Sequence, residues 1–261
     1  MRLKRDVVKA RRAYTQKDVA LMIQAHKDNK HYHKVEQGES LKSWVYGGLD
    51  GIITTFAVVA GVIGAGLSNV IILILGFANL IGDGISMSIG DYLSSKSERD
   101  YYNAERKREK WEVDKNPKGE VEEMIEIYTK KGYNKSDAKK FVQLLTKNKK
   151  FWVDTMMHDE LDLVQNKGSP MKNAFVTFGS FLLFGLVPLT LFLIGAIFSF
   201  EIPNAFLFTC IFSGISMFLL GSLKCKITGR KWYKSGFETL IVGGLAASAA
   251  YFIGEFLSKI F

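Results

Sequence analysis

The sequence predicts an all-α polytopic membrane protein with five transmembrane helices and a helical cytosolic insert between spans 2 and 3. Three observations carry that class. Apolar residues gather in five runs of about 20, enough to cross a hydrocarbon core of about 30 Å. A polar, charged stretch from Ser94 to Asn173 separates the second run from the third. Basic residues crowd some of the connecting segments and almost vanish from the others. A membrane barrel would instead show alternating segments of about ten residues, and none is visible.

Residues 1–42 form a basic N-terminal segment holding eleven of the 35 Lys and Arg residues. It is too long and polar for the n-region of a cleavable signal peptide, so the first span is expected to act as its own insertion signal. The stretch around Val19, Met22 and Ile23 has weak helical periodicity, suited to a membrane surface or to another domain. His31 and His33 form an HxH pair, which in a polar tail reads as solvated rather than as a metal site.

Residues 43–93 carry the first two spans, about Trp44–Leu67 and Val70–Leu93, joined by a short turn at Ser68-Asn69. Span 1 is rich in glycine, which lets membrane helices approach closely and is expected to permit a homodimer through spans 1 and 2. No Pro or Gly breaks the sequence between Leu93 and Lys115, so span 2 is expected to run on as one helix into water. The rest of the 94–173 insert reads as helices over about Gly119–Lys131, Asp137–Lys147 and Phe151–Val164, then a loop at Asn166–Pro170. Asn134 or Ser136 is the expected cap of the middle one.

Residues 174–261 supply spans 3 to 5, about Ala174–Phe200, Asn204–Leu223 and Phe237–Leu257. Pro188 falls inside span 3, where membrane helices tolerate it. The 94–173 insert holds eighteen Lys and Arg and the 224–235 loop five, leaving Lys259 for the opposite side. The positive-inside rule then puts the N-terminus, the insert and the last loop in the cytosol, with the C-terminus luminal. That topology also accounts for the net charge of +9, so no nucleic-acid partner is inferred from it. Cys210 and Cys225 have no CxxC or zinc-finger spacing, so neither a disulfide framework nor a thiolate site is expected.

The chemistry concentrates between Asn79 and Glu123. Asp50 lies about two turns into span 1, and Asp83 is comparably deep in span 2. A carboxylate inside a membrane is costly and is a functional candidate by default. Asp91, nearer the cytosolic end, can simply reach water, so the order of preference is Asp50, Asp83, Asp91. Met87 sits one turn from both Asp83 and Asp91. A thioether beside carboxylates favours a transition metal over calcium or magnesium.

Glu105, Glu109 and Glu112 fall at helical spacings on one face, which basic residues are expected to avoid. Glu120, Glu122, Glu123 and Glu126 follow closely. Met156, Met157 and Glu160 add two adjacent thioethers and another carboxylate. The bland alternative is a solvated helix laced with Arg106, Lys107, Arg108 and Lys110. The stacked acids and paired methionines put a metal site ahead of it.

The motifs DGIITTFAVVAG in span 1 and GDGISMSIGDYLS in span 2, the glutamate-rich insert with its late MMxxE, and the five spans resemble the vacuolar iron transporter family. The resemblance covers about Lys42 to the end. It implies a homodimer that moves ferrous iron from the cytosol into a vacuole or similar acidic organelle in exchange for protons. It implies an ion path between two subunits with ligands at Asp50 and Met87. It implies insert ligands at Glu109, Glu112, Glu120, Glu123, Met156, Met157 and Glu160. Asp91 stands where the family commonly has Glu. Spans 3 to 5 are diverged, and the basic N-terminal segment resembles nothing in the family pattern.

The function expected is therefore proton-coupled transport of a divalent metal, Fe2+ first, with Mn2+, Zn2+ or Co2+ as further passengers. Asp50 can exchange metal for proton, since both stabilise the same charge. The lipid bilayer and a second copy of the chain are the expected partners. Two other readings stand beside it. A membrane-tethered di-iron oxidase would need Glu-x-x-His pairs on bundle helices, and the chain has none. A non-catalytic membrane scaffold would use the insert to recruit partners.

Overall fold

A computed structural model describes residues 7–27, 35–165, 168–228 and 230–261. His31 and His33 lie outside the described residues, as do Asn166 and Lys167 of the loop before span 3. The described residues are helical with no strand. The chain forms two compact units: residues 1–87 with 175–261, and residues 88–174.

In the first unit, α1 (Val7–Gln16) and α2 (Val19–Lys27) pack on each other. α2 follows the weak periodicity of its sequence; α1, polar and basic, gave no comparable signal. Five helices are long and apolar enough to cross a membrane. They are α3 (Val35–Gly64), α4 (Asn69–Lys115), the broken helix Pro170–Phe198, α10 (Ala205–Leu223) and α12 (Trp232–Ile260). Between α3 and α4, Gly66 takes a left-handed φ of +69° that closes the turn.

At 1.5 Å per residue the 47 residues of α4 extend about 70 Å, twice a hydrocarbon core. The apolar half and the charged half thus share one helix, as the unbroken sequence predicts. The unit boundary falls within it, after Met87. Span 3 departs from expectation. α8 (Pro170–Gly185) gives way to a 3-10 turn at Val187–Leu189 before α9 (Thr190–Phe198). Pro188 has no N–H to donate, so the α-helical ladder cannot continue through it.

α3 is the central helix of the first unit, packed against α10 and α12. Its glycines make this possible. A Cβ at Gly51 would collide with the Phe181 carbonyl on α8, and one at Gly64 with the Tyr251 carbonyl on α12. The span 1 glycines are therefore spent on packing within the chain. α4 packs on α8 and the turn after it through Leu80, Gly76 and Gly84, against Phe181 and Leu189. Gly82 and Gly90 of α4 meet nothing, and Ile81, Ile85 and Ile89 stay exposed.

The second unit joins the charged half of α4 to α5 (Pro117–Lys130), α6 (Lys135–Leu145) and α7 (Lys149–Asp159). Each of the last three starts on an asparagine cap. Asn116, Asn134 and Asn148 accept from the backbone N–H of Gly119, Asp137 and Phe151. These caps satisfy amides that a helix start leaves unpaired. They also start each helix two residues earlier than its apolar pattern suggests. Gly132, at φ +101°, ends α5. Tyr102, Val113, Met124, Tyr128, Val142, Trp152, Met156 and Met157 form the core.

The last loop carries a short helix, α11 (Cys225–Thr228). Cys210 and Cys225 are both free thiols.

Candidate functional sites

Two groups of candidate residues arise, one in each unit. In the first, Asp50 on α3 and Asp83 on α4 are both exposed, and Met87 is half-buried. Asp83 lies close enough for Asp50 to feel its charge. Met87 packs at the edge of the cluster around Phe181 and Leu80. Asp91, half-buried, belongs to the second unit.

The second group is assembled from three helices. α4 supplies Glu105, Glu109 and Glu112. The break at Asn116-Pro117 lets the chain turn into α5, which carries Glu120 in its first turn and Glu123 one turn later. α7 contributes Met156 and Met157, with Glu160 as its C-cap. An ion pair fastens α7 to α4: Arg106 Nη2 lies 2.6 Å from Asp154 Oδ1. Lys149 and Asp114 form a second such pair.

Glu109 is wholly buried, and neither of its carboxylate oxygens has a hydrogen-bond partner. Oε2 of Glu160 is likewise buried and unpartnered. Glu120 is 7% exposed, and both thioethers are fully buried. Such groups are expensive to leave unsatisfied, because burial removes water without supplying a replacement. Burial first, then the charges of Glu160, Glu120 and Glu112, raise Glu109 to about 8, against a smaller pull from Arg108. Burial, with Glu123 and Glu120 behind it, raises Glu160 to about 7. Glu120 is also raised, by burial and then by Glu123 and Glu112. A carboxyl–carboxylate contact with Glu109, in which neither group brings a donor unless one is protonated, and the charge of Arg108 pull it down.

A carboxyl network beside this cluster behaves in the opposite way. Burial opposes ionisation of Asp159, but bonds from Lys131, Tyr128 and His158 outweigh it and hold the group at about 2. Tyr128 donates to Asp159 Oδ2 at 2.6 Å, and Lys131 pairs with Oδ1 at 2.7 Å. Asp159 is therefore satisfied, and its network braces α5 against the end of α7. The glutamates next to it are not.

The 105/109/112 face differs from expectation, because a basic residue does enter it. Arg108 lies three residues after Glu105 and four before Glu112, so its guanidinium reaches both. Its Nε donates to Glu105 Oε2 at 2.9 Å, and its Nη1 to Glu112 at 3.0 and 2.8 Å. Glu109 points elsewhere, into the core. Among the described residues, no three His, Cys, Asp or Glu side chains already converge as a cage for a metal ion. Carboxylates repel one another, which opposes such convergence while no cation lies between them.

The chain matches the model of the VIT family over residues 41–255. It is 40% identical to a vacuolar iron transporter of Toxoplasma gondii, over 98% of this chain and 90% of that protein. It is 34% identical to one of Plasmodium falciparum, covering 97% of this chain and 96% of that protein. A vacuolar iron transporter 1 of Arabidopsis thaliana is 33% identical, over 88% of this chain and 90% of its own length. The N-terminal segment lies outside the family model but inside the match to the Toxoplasma protein. With five membrane-crossing helices and a family match spanning both units, this chain belongs to the VIT family.

Proposed function

We propose that the protein carries ferrous iron from the cytosol into a vacuole or a similar organelle, driven by protons moving the other way. The observation that carries this reading is Glu109. A buried carboxylate without a hydrogen-bond partner is stabilised only by a proton or a cation. The charges of three more glutamates, Glu160, Glu120 and Glu112, act on it, and Met156 and Met157 are buried in the core of the same unit. Oxygen and sulfur donors together suit Fe2+ and its neighbours Mn2+, Co2+ and Zn2+ better than hard cations. Relatives named vacuolar iron transporter, matched over most of their length, point to iron and to a vacuole.

In this reading, residues 94–173 form a cytosolic domain that captures metal through Glu109, Glu112, Glu120, Glu123, Met156, Met157 and Glu160. The transport path lies in the membrane at Asp50 and Met87, with Asp83 beside them. In a single chain Asp50 and Asp83 are exposed, and lipid cannot solvate them. A second copy covering the bare face of α4 removes that cost and supplies two Asp50 and two Met87 side chains. The homodimer is thus proposed for the carboxylates' sake, since the span 1 glycines are already used within the chain. A site at the interface can open to either side in turn. Basic residues set the orientation, with the N-terminus and insert cytosolic and the C-terminus luminal.

Asp50 binds either a metal or a proton, and that exclusion is the coupling step. A metal arriving from the cytosol displaces the proton, and an acidic lumen returns it. The test is Fe2+ flux into liposomes holding the purified protein, with an imposed pH gradient. Wild type concentrates the metal on the acidic side, and collapsing the gradient stops it. Flux that ignores the gradient refutes the coupling.

A further inference from the structure

Arg108 is the one cation bonded to the proposed insert ligands among the described residues. Its two partners, Glu105 and Glu112, are on its own helix. That separates it from Arg106, whose partner Asp154 ties α4 to α7. The bonds of Arg108 therefore join no two elements, although its charge also acts on Glu109, Glu120 and Glu160. Its Nη1 faces both oxygens of Glu112, at 3.0 and 2.8 Å. A divalent cation needs those same oxygens.

We propose that Arg108 is a built-in competitor for the metal, one that must leave Glu112 before Glu112 can ligate. This rests on the reading of Glu112 as a ligand. The guanidinium is 43% exposed at its side chain, so it can swing into water without disturbing the core. Its contact offsets part of the negative charge that Glu112 adds beside the unpartnered Glu109, until a metal arrives. The consequence is weaker capture and easier release, as suits a domain that hands its cargo on. Arg is suited to the task because its planar guanidinium has donors for both partners: Nε and Nη2 hold Glu105, and that fixes Nη1 on Glu112, which the single ammonium of Lys cannot reproduce.

The experiment is calorimetric titration of the purified full-length protein in nanodiscs with Mn2+. An Asp50→Asn background keeps the membrane site out of the isotherm. Arg108→Lys keeps the charge, and so the acidity of the neighbouring glutamates, but loses the fork. It should bind Mn2+ more tightly than wild type. Arg108→Gln should bind roughly two- to fivefold more tightly, the worth of an exposed ion pair. Both gains should vanish in a Glu112→Gln background. Binding by Arg108→Lys no tighter than wild type, or a gain that survives Glu112→Gln, overturns the proposal. If wild type binds no Mn2+ at all, the insert is not a metal site and the larger reading fails first.

Discussion

Protonation of Glu109 offers the sharpest quantitative test of the insert. A metal binds carboxylates in their ionised form, so any proton present must leave. With Glu109 at about 8 and Glu160 at about 7, both carry protons near neutrality. At about pH 7 Glu109 is ~0.9 protonated and Glu160 ~0.5, so metal binding releases ~1.4 protons from the pair. At about pH 9 the figure falls to ~0.1. Glu109→Gln removes the first contribution and leaves ~0.5 at about pH 7. From about pH 8 to about pH 6, competition by both protons weakens apparent affinity by several hundred-fold, ~4 kcal/mol. Proton counts come from calorimetry repeated in buffers of different ionisation heat. Release that does not vary with pH, or that Glu109→Gln leaves unchanged, refutes the assignment.

The same group links pH to stability. Its folded value, about 8, lies above the ordinary 4.5, so the folded state holds a proton that the unfolded state gives up. Its contribution is intact below about 4.5 and is lost as pH rises to about 8. Asp159, held at about 2, acts only at lower pH and does not blur this window. Protein stripped by a chelator should therefore melt lower at about pH 9 than at about pH 6, and Mn2+ should close the gap.

Other expectations follow from the membrane unit. Asp50→Asn keeps size and polarity but cannot ionise, so it should abolish gradient-driven flux as fully as Asp50→Ala; normal flux would shift the coupling to Asp83. Gly51→Ala should lower the melting temperature, by an overpacking cost of about 1–3 kcal/mol, because its Cβ meets the Phe181 carbonyl. At Gly82 an added Cβ meets nothing within 4 Å among the described residues, so Gly82→Phe should spare the monomer fold while breaking the dimer, read by light scattering; an intact dimer would move the interface elsewhere. In a background lacking Cys210 and Cys225, Ser43→Cys and Thr228→Cys should label from the cytosol and Ser258→Cys only from the lumen. Cytosolic labelling at Ser258 would reverse the assigned orientation.

The five crossings were legible because membrane burial writes itself as long apolar runs, and α4 was legible because nothing in its sequence stops a helix. Helix starts were less so. Asn116, Asn134 and Asn148 each cap a helix whose first turn is polar, so the apolar pattern begins two residues late. The break in span 3 was visible as Pro188, yet sequence alone could not decide between a kink and a 3-10 turn. The span 1 glycines read correctly as sites of close approach. The expected partner was a second copy, whereas Gly51 and Gly64 meet Phe181 and Tyr251 of the same chain, because a glycine records that a backbone comes near and not which one. The glutamates were legible as a group, since acids recur at helical spacing. Which of them is starved of partners was not, because that depends on α5 and α7 folding back over α4. Arg108 is the instructive case. Three residues after Glu105 and four before Glu112, it stood in plain view at the two spacings that bring helix side chains together. A stripe drawn through the acids alone passes it by, although a helix face is wide enough for a cation between two anions. The same geometry that lets glutamates gather around a metal lets one arginine hold one of them back.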